Sequence, residues 1–142
     1  VVIELISVQE LCDRTGLPPA RLRRLHDQLS RVPEDPFPAF LYEYKTTVIV
    51  DKVATVDWLE RLYADMVKRL EAQVQEAKEF LDSFGDPEHA HLSSRLGFGK
   101  ERQRALKRVR DARAVVSKAP KALESDGKIL AALRGMYEEM GE

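Results

Sequence analysis

At 142 residues the chain can make one compact domain of ordinary size, or a small head followed by a helical extension. Hydrophobic residues at 44% allow a buried core, charged residues at 33% give a heavily ionised surface, and a single cysteine excludes a fold held by internal disulfides. No apolar run approaches the roughly 20 residues that cross a bilayer, and the opening VVIELISV is too short and lacks the basic flank of a secretory signal, so a cytoplasmic location without a membrane partner is expected.

The formal net charge of −1 is unevenly spread. Residues 1 to 62 carry a net of −2 and residues 63 to 94 a net of −4, whereas residues 95 to 123 hold ten Lys/Arg against two Asp/Glu, a net of +8. The pattern is an acidic body with one strongly basic segment.

Ser7 followed by Glu10 has the spacing that caps a helix start, so a first helix is predicted from about Val8. Val8, Leu11 and Cys12 share a face, and Gly16 falls where a left-handed residue ends a helix at little cost. Pro19 suits the first position of a second helix, along which Leu22, Leu25 and Leu29 form an apolar stripe. With that stripe inward, Arg21, Arg24 and Gln28 are expected together on the outer face, beside Arg23.

The run RTGLPPARLRRLHD resembles the helix-turn-helix of MerR-type regulators, excisionase-like proteins and phage small-terminase domains. In these a Gly-hydrophobic-x-Pro turn leads into an arginine-bearing recognition helix. One departure is Pro18, where that family has a capping Ser, whose loss typically costs ~1 kcal/mol. The resemblance implies a winged helix-turn-helix head that binds duplex DNA, with Arg21, Arg23, Arg24 and Gln28 facing the groove.

After the loop VPEDPFPAF, the run LYEYKTTVIVDK is rich in β-branched and aromatic residues and predicts two strands turning near Lys45 and Thr46. The resemblance makes this hairpin the wing, with Lys45 and Thr46 at the DNA backbone, and makes Val56, Asp57, Trp58 and Leu59 the start of the next helix. Glu43 and Asp51 leave the hairpin a poor phosphate clamp. Trp58 is expected to anchor the core.

From Val56, the positions Leu59, Tyr63, Met66, Leu70, Ala77, Phe80 and Phe84 keep a coiled-coil spacing, which predicts a long helix. Its stripe has two candidate covers: a second copy of the chain, giving a homo-oligomer through residues 56–84, or the seam Ala105, Val109, Ala112, Val116 and Ala119. The intervening SFGDPEHAHLSSRLGFG breaks helical order and lets the chain reverse. Pro120 is expected to end or bend the second arm, and Ile129, Leu130, Leu133, Met136, Tyr137 and Met140 to form a short closing helix.

Lys100, Arg102, Arg104, Lys107 and Arg108 offer a second surface for an anionic partner. The same cations are better explained as a solvated helix neutralised by Asp65, Glu71, Glu76, Glu79 and Asp82. His89 and His91 with Asp86 and Glu88 are too few and too flexibly set for a metal site, and GFGK at 97–100 lacks the spacing of a phosphate-binding loop and reads as a turn. Cys12 has no adjacent base. No enzyme, cofactor or metal is expected.

The expected class is mainly α with a small β-hairpin: a winged helix-turn-helix head over 1–62 and a helical assembly or interaction region over 63–142. The expected function is DNA binding, as a transcription regulator or a phage packaging or excision factor. The alternative is an adaptor that keeps the fold but docks on a protein such as the transcription machinery, favoured by the head's net −2.

Overall fold

The computed structural model describes residues 3–84 and 99–140. The elements, in order, are β1 (Leu5–Ser7), α1 (Val8–Thr15), α2 (Pro19–Leu29), β2 (Tyr42–Tyr44), β3 (Thr47–Asp51), α3 (Lys52–Phe84) and α4 (Lys100–Met140). The chain is mainly helical, with two short N-terminal helices, a small antiparallel sheet of order β1-β3-β2 and a long helix pair. Its residues gather into two compact units, Val1–Met66 with Ser125–Glu142, and Val67–Glu124.

In the first unit α1 begins at Val8 because the Ser7 Oγ accepts the Glu10 amide at 3.1 Å, and it ends at Gly16, whose φ of 78° lies in the left-handed region that a Cβ disfavours. β2 and β3 turn through Lys45 and Thr46 in the register Tyr44↔Thr47, with Lys45 at φ 54°. β1 is an addition to the predicted elements. Its three residues are too few to show an alternation, and pairing with β3 (Ile6↔Val50) is what makes them a strand.

α3 starts at Lys52 rather than Val56, because the Asp51 carboxylate accepts the Ala54 amide at 3.2 Å and caps the helix directly off β3. The core joins Ile6 and Val50 from the sheet's inner face to Leu11, Cys12, Leu17 and Leu22 from the helix-turn-helix and to Val56, Trp58, Leu59 and Tyr63 from α3. Trp58 is buried as expected; its indole donates to the Asp35 carbonyl at 2.8 Å and lies 4.7 Å from the Phe37 ring, which ties down the proline-rich loop.

The last turns of α4 belong to this unit. Ile129, Leu130, Leu133 and Met136 are buried, Arg14 pairs with Glu139 at 2.7 Å, and Arg134 pairs with Glu60 at 3.3 Å. Each fully buried aliphatic side chain contributes roughly 1.5–3 kcal/mol, so this segment completes the head. It is no separate closing helix: α4 runs unbroken through Pro120. The proline forfeits one hydrogen bond but lies on the exposed side, and buried positions on both flanks hold the helix together.

In the second unit Ala77 of α3 and Val109, Ala112 and Ala119 of α4 are buried, and the Arg108 guanidinium sits 4.7 Å from the Phe80 ring centroid. The apolar seam of α3 is met there by that of the same chain's α4. The expected reversal through residues 85–98, with His89 and His91, lies outside the described residues. Gly99, at φ 77°, is the turn before α4, and its carbonyl accepts the Gln103 amide at 3.1 Å. Among the described residues no helix is long and apolar enough to cross a membrane.

Candidate nucleic-acid interface

The turn between α1 and α2 is locally over-determined. The Thr15 hydroxyl donates to the Leu11 carbonyl at 2.8 Å and accepts the Leu17 amide at 3.2 Å, while the Gly16 amide donates to the Cys12 carbonyl at 2.9 Å. Cys12 is the small residue of the crossing, 4% exposed, and burial pushes its thiol up to about 11. Pro18 caps α2 without a side-chain bond, but its carbonyl accepts the Arg21 and Leu22 amides at 3.0 and 3.1 Å. Leu22 is fully buried, whereas Leu25 and Leu29 are half-buried.

The three arginines of α2 have different surroundings. Arg21 turns toward α3: its Nη1 donates to the Tyr63 hydroxyl at 3.4 Å and stands 3.9 Å from the Asp126 carboxylate. The Tyr63 hydrogen bond holds the Arg21 guanidinium protonated beyond its usual range, and burial raises the Tyr63 hydroxyl in turn. The expected ridge of Arg21, Arg24 and Gln28 is therefore split, because the returning end of α4 supplies an acid at the edge of the leucine stripe.

Arg23 is exposed and bound to Glu43 of β2 at 2.6 Å, which raises its pKa further. Arg24 and Gln28 are exposed on α2, and among the described residues neither has a hydrogen-bond or ion-pair partner. Lys45 and Thr46 are exposed at the hairpin tip, with the Lys45 ammonium 5.4 Å from the Tyr44 ring centroid. Arg23, Lys45, Thr46 and Gln9 line one cleft of about 280 Å³ between the helix-turn-helix and the hairpin. The hairpin thus brings Lys45 and Thr46 beside α2, yet also delivers Glu43.

Behind Arg23, His26 stacks on Phe40 with ring centroids 3.7 Å apart and meets the Asp27 carboxylate at 3.0 Å. Arg61 is held by Asp35 and Asp57. Sequence reasoning missed two features. The first is Asp126, which becomes visible as a partner only when the C-terminal segment is folded onto the head. The second is the outward face of the sheet, where Leu5, Tyr42 and Tyr44 are 61%, 53% and 59% exposed. The alternation in LYEYK signals it, since Tyr42 and Tyr44 share the face opposite Glu43.

Lys100, Arg104 and Lys107 are exposed on α4, and Arg108 covers Phe80. The Arg102 side chain lies outside the described residues. Among the described residues no group of three or more His, Cys, Asp or Glu side chains could hold a metal ion. No protein-family model matches this chain, and no curated protein and no solved structure matches it either.

Proposed function

We propose that the protein binds duplex DNA through the outward face of α2, as a transcription regulator or a phage packaging or excision factor. The observation that carries this reading is the exposed pair Arg24 and Gln28 on the second helix of a helix-turn-helix, free of partners among the described residues. Arginine can donate two hydrogen bonds to guanine and glutamine can pair with adenine, each worth about 1–3 kcal/mol of discrimination. Arg23, Lys45 and Thr46 flank them as backbone contacts. The Arg23–Glu43 pair is a surface ion pair, weak enough for a phosphate to replace. Arg21, drawn toward Tyr63 and Asp126 with its side chain still 43% exposed, takes a lesser part in this reading. A dimer on paired half-sites would need a surface other than the Ala77–Ala112 seam, which the chain's own helices occupy.

Fluorescence anisotropy with random duplex at low salt tests the reading. Binding at micromolar protein, weakened by R24A/Q28A with an unchanged thermal midpoint, supports it; no binding by the wild-type chain overturns it. The second reading is a protein-docking adaptor, favoured by the aromatic and aliphatic outer face of the sheet at Leu5, Tyr42 and Tyr44, where a DNA-clamping wing would carry cations.

A further inference from the structure

We propose that the outward stripe of α4 from Lys100 to Lys121 is a second binding surface, whose ligand is the phosphate backbone of a nucleic acid. It extends the DNA-binding reading to a surface outside the head. Lys100, Arg104, Lys107, Arg110, Lys118 and Lys121 are all exposed, and they recur at steps of three, four and, once, eight residues along the face opposite Val109, Ala112 and Ala119. At 1.5 Å per residue they run along ~32 Å of helix. Two acids, Glu101 and Asp111, fall in the same stretch of sequence.

Four of the five acids that the sequence offers as neutralising partners form no ion pair with this stripe among the described residues. Glu71, Glu76 and Asp82 of α3 form no ion pair within 4 Å among the described residues, and Glu79 accepts a hydrogen bond from Gln75 of its own helix. Lys100, Arg104, Lys107, Arg110, Lys118 and Lys121 likewise form none. Like charges one turn apart, such as Arg104 and Lys107, each cost a helix ~0.2–0.5 kcal/mol, and a bound row of phosphates removes that repulsion while releasing counterions.

The chemistry of the stripe selects the class of partner. A protein interface is anchored by apolar or aromatic side chains at its centre, and here the positions between the cations on that face are Gln103, Asp111, Ala114 and Ser117. The same lack of aromatics leaves no platform for unstacked bases, so the stripe engages backbone phosphates and is indifferent to sequence.

The test uses the full chain and a random 30-base-pair duplex, followed by anisotropy between 50 and 200 mM KCl. The variant K107Q/R110Q/K118Q/K121Q is compared with R24A/Q28A and with the charge-keeping K107R/R110K/K118R/K121R. The stripe variant should bind at least tenfold more weakly at 50 mM and lower the slope of log affinity against log salt by about 3.6, since each phosphate neutralised by a cation adds ~0.9 to that slope, with helical circular dichroism unchanged. The charge-keeping variant should retain the wild-type slope. An unchanged slope in the stripe variant overturns the inference, and if R24A/Q28A alone loses binding, the head reading survives that failure. Weaker binding by the stripe variant, with R24A/Q28A binding as the wild type does, supports the stripe and sinks the head. Competition by polyglutamate equal to that by duplex of the same charge overturns the assignment to nucleic acid in favour of an acidic protein.

Discussion

Arg21 and Tyr63, 42 positions apart, share a hydrogen bond of 3.4 Å that draws an α2 arginine toward α3. Replacing Arg21 with alanine should lower stability by under about 1 kcal/mol, because the side chain remains partly solvated, and should leave duplex affinity nearly unchanged. R24A should do the reverse. Urea unfolding paired with anisotropy on both variants checks this, and a larger binding loss from R21A than from R24A would contradict the split ridge.

In the proposed DNA-binding reading, the Arg23–Glu43 pair competes with phosphate for Arg23. Glu43→Gln removes the carboxylate that occupies Arg23 and also trims negative charge from the hairpin, so duplex binding at low salt should tighten several-fold. Titration of both proteins with the same duplex reads this directly. Weaker binding by E43Q would mean that Glu43 orients Arg23 rather than blocking it.

Cys12 makes stability depend on alkaline pH. Its thiol is raised by burial from 9.0 to about 11, so the folded chain holds the proton more tightly than the unfolded one. The resulting contribution is fully present below pH 9 and is lost as pH rises toward 11, on the order of 2 kcal/mol in all. In C12A that part of the decline should vanish, as measured by urea midpoints from pH 8 to 11. The native thiol should also resist alkylation until the protein unfolds.

Pro120 lies inside a continuous α4, where its ring removes one backbone hydrogen bond. Pro120→Ala should therefore stabilise the protein, by ~1–3 kcal/mol, since a helix interior strongly prefers alanine. A neutral effect would show instead that the helix is interrupted there. Thermal unfolding of the two proteins separates the outcomes.

Thr55 is fully buried, and among the described residues its hydroxyl has no hydrogen-bond partner. Thr55→Val keeps the shape and removes the unsatisfied group, so it should be neutral or stabilising by about 1 kcal/mol in urea unfolding. A loss of more than that would reveal a partner for the hydroxyl.

Much of the fold is written locally. Ser7 with Glu10, Gly16 and Pro19 mark the bounds of α1 and the start of α2 at the positions observed, because capping, positive φ and a missing amide hydrogen are properties of one or two residues. The hairpin at Lys45–Thr46 and the burial of Trp58 were equally legible, from β-branched alternation and from the size of the indole. The charge imbalance of residues 95–123 is likewise fixed by composition.

Other features depend on what lies far away along the chain. β1 exists because β3 supplies its hydrogen bonds, and α3 starts four residues early because Asp51 emerges from that sheet as a cap. Arg21 leans away from Arg24 and Gln28 because residues 125–140 pack onto the head and bring Asp126 to it. Helical periodicity places a side chain on a face of its own helix. Which faces meet, and which cations then find an acid within 4 Å, is decided only when distant segments exclude water between them.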